Sequence, residues 1–149
     1  MKWVTRSNAT VDRIACPWLI KKFIDDRAEF LYVPTDMVNE IAERDGAIPF
    51  DTPGVELQHY KENDVEYVSF DALIRKYNLK DPALLEMAKI VRGADASEPH
   101  EPPAEAAGLK AVANGFKFLA RDDHDNMERQ FPTYDSLYAY CLLNIRTKS

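Results

Sequence analysis

The sequence holds 149 residues, 46% of them apolar, and carries a formal net charge of −6. That length suits a single domain over residues 1–149 with a real core, and the acidic balance disfavours direct nucleic-acid binding, which needs clustered Lys and Arg against phosphates. No apolar run reaches membrane-spanning length, and Met1 to Arg6 lack the apolar stretch of a signal peptide, so a cytoplasmic location without a membrane partner is expected. Cys16 and Cys141 form no disulfide framework, and the Walker A, GxGxxG, HExxH, GxSxG and CxxC motifs are absent.

Trp3-Val4-Thr5 reads as a first strand and residues 6–10 as a polar loop. Ile14, Trp18, Leu19 and Phe23 then share one helical face, with Lys21 and Lys22 on another. Pro17 is either the first helical residue, with Cys16 as cap, or lies a turn inside a helix capped by Asp12. Either way Cys16 falls near the positive end of a helix dipole with Arg13 close by. That setting is expected to favour a thiolate and attract anions; the alternative is a small buried thiol at a tight corner.

Residues 29–34 read as a second strand, which makes the first third a βαβ unit with parallel neighbours. Thr35 or Asp36 can cap a second helix that stops at Gly46. Residues 47–51 read as a short third strand, at an edge or an end because of Pro49. After the turn at Thr52-Pro53-Gly54, the alternation of Val55, Leu57 and His59 predicts a strand or extended segment with His59 on its apolar face. Lys61 to Glu66 reads as a charged loop.

From Ser69 the period changes to 3.6. Phe70, Leu73, Ile74 and Tyr77 mark one helix, and Asp81-Pro82 opens a buried one through Leu84, Leu85, Ala88 and Val91. Residues 96–104 are a proline-rich surface loop. Leu109, Val112, Ala113, Phe116 and Leu119 give another helix despite Gly115. Residues 122–125 read as an acidic loop. Tyr134, Leu137, Tyr138, Cys141, Leu142 and Ile145 define the last helix, with Cys141 in the core. The fold class expected is α+β or α/β: a small, mostly parallel N-terminal sheet followed by a packed helical C-terminal half.

Several segments, in order, resemble the ChrB-type chromate-resistance domain. They are Trp3-Val4-Thr5-Arg6, Asp12-Arg13-Ile14-Ala15-Cys16-Pro17-Trp18-Leu19-Ile20, Phe50-Asp51, His59, Arg92-Gly93-Ala94-Asp95, Ala107-Gly108-Leu109 and Tyr134-Asp135-Ser136-Leu137-Tyr138. The resemblance runs from Trp3 to Cys141. It implies a domain that forms the C-terminal half of longer proteins whose N-terminal half is associated with regulation, and a link to chromate. It carries no catalytic assignment. The sequence starts at this domain, so direct transcriptional control is not expected of it.

Two ligand classes follow. Chromate is a tetrahedral dianion that needs convergent arginines and N–H donors. Arg6 and Arg13 fall at the carboxyl edge of a parallel sheet, where open α/β sheets place ligands. With Asp12 and Cys16 they would form one wall of an oxyanion site, and Arg92 would help complete the other. The alternative is that these arginines pair with Asp12, Asp51 and Asp95 and stitch the two halves together. Cys16 alone cannot supply the three electrons that take Cr(VI) to Cr(III), so binding or sensing is expected rather than reduction.

The second class is a divalent transition metal such as Zn, Mn or Fe, held by His59 with Asp51 and Asp95; Glu56 and Asp71 are further carboxylates within reach of such a site. The alternative for His59 is a hydrogen-bonded core histidine. The cluster Asp122, Asp123, His124, Asp125 and Glu128 is read as a solvated loop, and His100 as an exposed loop residue.

Three functional readings result. One is an oxyanion or metal binder for chromate resistance. Another is a metal-dependent enzyme using His59 and carboxylates, with Cys16 or Asp12 near the chemistry. The third is an interaction module for a separate regulator or transporter. Tyr140, off the apolar stripe, leaves room for a partner or homodimer contact.

Overall fold

The computed structural model describes residues 1–148. Strand β1 (Lys2–Arg6) runs between β2 (Glu29–Val33) and β3 (Ile48–Pro49), parallel to both. The first crossover is helix α1 (Asp12–Leu19), continued by a π-helical turn over Ile20–Ile24. The second is a 3-10 turn at Thr35–Met37 followed by α2 (Val38–Asp45). Gly46 ends α2 in the left-handed conformation (φ 65°), which a residue without Cβ adopts without penalty.

Parallel pairing with two crossovers covers both faces of the sheet. One face packs on the main core through Trp3, Phe30 and Phe50. The other meets α2 in a small cluster of Val4, Val38, Ile41 and Ala47. The helical half comprises α3 (Ser69–Lys76), α4 (Pro82–Asp95), α5 (Glu105–Leu119) and α6 (Asp123–Lys148). Helix α4 packs on α5 and α6, and α1 on α3 and α6. At its start Asp81 accepts the Leu84 N–H at 3.0 Å, and Pro82 fills a first-turn position whose N–H has no helical partner.

Four sequence expectations are corrected. Pro17 lies inside α1, which begins at Asp12; Val11 is the cap residue and offers no side-chain cap, so neither Asp12 nor Cys16 caps it. The alternating segment at 55–59 forms no strand. It follows the Pro53-Gly54 turn and contributes only a single bridge, Leu57 to Phe50. The charged segment 61–66 is an antiparallel hairpin, β4 (Tyr60–Glu62) and β5 (Val65–Tyr67), turned by Asn63 and Asp64, both at positive φ. The acidic loop at 122–125 runs into the first turn of α6. There Asp123 accepts the backbone N–H groups of Asn8 and Ala9, and Asp125 is held by Arg121 and Arg129.

Candidate metal centre

The site forms where the carboxyl ends of β1 and β3 meet the starts of α1 and α3 and the end of α4. Asp12 opens α1 with its side chain 1% exposed. Its Oδ2 accepts the Ser69 N–H at 2.8 Å, and its Oδ1 accepts the Phe70 N–H at 3.2 Å. The free N–H groups at the start of α3 thus hold a buried carboxylate in one orientation. Asp51 follows β3 and is itself at positive φ (49°), a conformation Asp tolerates better than most residues. It accepts the Ser69 hydroxyl at 2.8 Å. Asp95, the last residue of α4, accepts the Asp12 N–H at 3.2 Å and so ties the helical half to α1.

His59 enters this cluster from the residue just before β4. Its Nε2 lies 3.0 Å from Asp95 Oδ2, 3.4 Å from Asp12 Oδ2 and 3.4 Å from Asp51 Oδ1. Its Nδ1–H donates to Glu66 Oε2 at 3.2 Å. The β4–β5 register explains this pair. Tyr60 faces Tyr67, so His59 and Glu66 fall diagonally on one face of the hairpin while the two tyrosines stack on the other. Glu66 is fixed in turn by the Ser97 N–H and hydroxyl and the Glu98 N–H, all within 3.1 Å. Those donors outweigh burial and hold its carboxyl down to about 2.

Four carboxylates crowd one imidazole, and the electrostatics follow. Hydrogen bonds to Asp12, Asp51 and Asp95 push the His59 pKa far above the imidazole range. Burial, with Asp95 and Asp51 close by, raises the Asp12 carboxyl to about 7. Burial acts the same way on Asp51, but His59, Arg13 and Ser69 overcome it and leave its pKa lowered. A negative pocket of this kind demands a cation at its centre, and in the metal-free protein the His59 proton is that cation. Donor atoms of Asp12, His59 and Asp95 lie within 4.8 Å of one another. Donors at roughly 2.1 Å from an ion stand about 3.0–3.4 Å apart, which is the spacing of the carboxylate oxygens from Nε2.

The arginines divide. Arg13 Nη1 pairs with Asp51 Oδ2 at 3.3 Å, and Arg6 Nε donates to the Asp51 carbonyl at 2.8 Å. Arg92 is engaged elsewhere: it makes a two-pronged contact with Asp71, at 2.7 and 3.0 Å, and lies over the Tyr67 ring. Asp71 also accepts the Val68 N–H. Glu56 is an exposed partner of Lys76. Neither Asp71 nor Glu56 joins His59. Cys16 lies beneath the site, with its S–H donating to Asp12 Oδ1 at 3.3 Å. Burial first, and then the Asp12 and Asp51 charges, push its thiol well above the usual range. The expected thiolate is therefore disfavoured, because burial, reinforced by the carboxylates of the site, outweighs the helix dipole.

Glu66, Ser69 and Ser97 were not visible as site residues in the sequence. The available signal was His59-Tyr60-Lys61-Glu62 against Val65-Glu66-Tyr67 around Asn63-Asp64, a period-two pattern with a two-residue turn. It reads as a loop because its outer face is charged.

A sequence model of the family described as “ChrB, C-terminal domain” matches residues 3–141. The chain belongs to the ChrB C-terminal domain family. Protein ChrB of Cupriavidus metallidurans strain CH34 is 32% identical to this ChrB-family chain over 140 residues, 93% of the chain. The chain spans about 40% of the length of that curated relative. No solved structure matches it. Among the described residues no helix is long and apolar enough to cross a membrane.

Proposed function

We propose that this ChrB-family domain is a divalent-metal binder that serves chromate resistance as a cytoplasmic sensor or accessory module, with Asp12, His59 and Asp95 as ligands. The observation that carries this reading is the convergence of three carboxylates on one imidazole nitrogen at 3.0–3.4 Å, while the other nitrogen is held by Glu66. Metal-bound histidines commonly donate their second N–H to a carboxylate in this way, which fixes the ring and its tautomer. One imidazole with carboxylates suits Zn, Mn or Fe, and three protein ligands leave coordination positions open. Asp51 is a fourth donor within reach, braced by Arg13 and Ser69.

An oxyanion bound by arginines alone fits less well. Arg13 is matched by Asp51 and Arg92 by Asp71, so most of the positive charge expected of such a pocket is already neutralised. A thiol-based reductase fits less well still, since Cys16 is buried and held protonated.

Elemental analysis of untagged protein and of His59→Ala tests the proposal. About one equivalent of Zn, Mn or Fe, lost in the variant, is the expected result. A folded protein that neither carries nor takes up metal would overturn it.

A further inference from the structure

Beside the His59 ring a small cavity of about 170 Å³ opens to solvent, lined by Arg6, Asp51, Thr52, Pro53, Gln58 and His59. It is too small for a nucleotide or an extended cofactor, whose sites run to roughly 300 Å³ or more. It is also the open side of the proposed centre. Asp12 is sealed at 1% exposure behind α3, whereas His59 is 35% exposed on the cavity side.

Two unused donors line that cavity. Arg6 spends its Nε on the Asp51 carbonyl, and its Nη2 stands 3.8 Å from Asp51 Oδ2. Among the described residues its Nη1 has no hydrogen-bond partner, and the side chain is 31% exposed. The Gln58 amide oxygen accepts the Gly54 N–H at 3.3 Å, and among the described residues its NH₂ group has no hydrogen-bond partner. A guanidinium and an amide NH₂ beside an open coordination position form a recognition set for a small oxyanion. Without a metal the same place is a poorer anion site, because a single proton on His59 is set against the carboxylates of Asp12, Asp51 and Asp95 around Nε2, and Asp51 itself lines the cavity.

We propose that a small oxyanion binds in the Arg6–Gln58 cavity only after a divalent cation occupies the Asp12–His59–Asp95 centre, with one anion oxygen taking the open position on the metal. This rests on the cation reading above and adds order and specificity to it. A divalent ion in place of the His59 proton adds one positive charge and an open coordination position, and Arg6 and Gln58 orient the remaining oxygens. A domain built this way reports two solutes together.

The test uses calorimetry at fixed ionic strength, with Mn²⁺ as the metal probe and sulfate as the anion probe. Wild-type protein is expected to take one Mn²⁺, and to bind sulfate only when loaded. At confirmed Mn²⁺ loading, Arg6→Gln and Gln58→Leu should each weaken sulfate binding about 10-fold, the scale of one hydrogen bond to a charged group. Gln58→Leu leaves the Arg6–Asp51 contacts intact, so it keeps the test valid if Arg6→Gln unfolds. Equal sulfate binding to metal-free protein would overturn the ordered binding. So would a loaded protein that ignores sulfate, which leaves the cation reading standing. Unchanged sulfate affinity in Gln58→Leu would overturn the location. Failure to bind Mn²⁺, Zn²⁺ or Fe²⁺ would remove the cation reading, and this inference with it.

Discussion

Tyr32 donates its hydroxyl to the carbonyl of Arg13 at 2.7 Å, and Arg13 is the residue four before Pro17. Proline has no N–H, so in a helix it leaves the carbonyl four residues earlier without its usual donor. A side chain from β2 supplies that donor. The motif Asp12 to Trp18 can therefore hold a proline inside α1, with Asp12 and Arg13 kept at the edge of the site. Tyr32→Phe should lower stability by about 1 kcal/mol, the usual scale of one hydrogen bond. In a Pro17→Ala background the restored N–H takes over the carbonyl, and the same change should cost less. A double-mutant cycle by urea unfolding checks this; equal costs in both backgrounds would show that the two residues are not coupled.

Gly93 governs how closely α4 approaches the first turn of α5 and the loop before it. A Cβ built there would lie 2.8 Å from Ala106 Cβ and 2.9 Å from Pro102 Cβ. Gly93→Ala should therefore destabilise by about 1–3 kcal/mol, although alanine is the better helix former. Thermal unfolding would show it. Gly115, with open space around its Cβ position, is the control, and there alanine should stabilise.

Glu66 sets an acid limit. Its folded-state pKa is held to about 2, against 4.5 in the unfolded chain. Its contribution is complete above pH 4.5 and is lost as pH falls from there towards 2. Unfolding curves at pH 5.5 and pH 3 should differ less for Glu66→Gln than for wild type. An identical pH dependence would show that the Ser97 and Glu98 contacts do not persist in solution.

His59 gives metal binding its pH sign. In the metal-free protein the ring is held as imidazolium by Asp12, Asp51 and Asp95, so a metal must displace a proton from Nε2. Affinity should rise with pH through the neutral range, with about one to two protons released per ion near pH 7, from His59 and in part from Asp12, falling to about one above pH 8. Calorimetry in buffers of different ionisation enthalpy measures that release directly. Binding without proton release would place the metal elsewhere.

Cys16 should be inert to thiol reagents at pH 8 in the folded protein and react fully once unfolded, since it is buried and its thiol is pushed up by Asp12 and Asp51. Native labelling at the rate of a free thiol would refute the burial.

Much of the architecture is written in periodicity. The βαβ start and the helices through Leu84, Leu109 and Tyr134 are legible because each has one face against the core. The hairpin at 60–67 is not, because three of its outward residues are charged and only the turn residues Asn63 and Asp64 mark it. Asp51, Asp95 and His59 can be named as candidates from chemistry alone, and the fold gathers them around one nitrogen. Glu66 cannot, since its role depends on a cross-strand diagonal that exists only once the register is set. The arginines are half legible. The alternative that they pair with aspartates holds for Arg13 and Arg6 with Asp51, whereas Arg92 pairs with Asp71, a partner set only by the fold.

The contact between the Asp12 N–H and the Asp95 carboxylate spans 83 positions of sequence. No two of Asp12, His59 and Asp95 are neighbours on one helix or strand, so the unfolded chain contains no local chelate. An ion held here distinguishes the finished fold from every partial one, and its whole binding free energy counts towards stability, about 2.7 kcal/mol at a hundredfold excess over Kd. Closing such long loops comes late in folding. Newly made chains would pass through synthesis without sequestering metal and acquire it only after the sheet and the helices have docked.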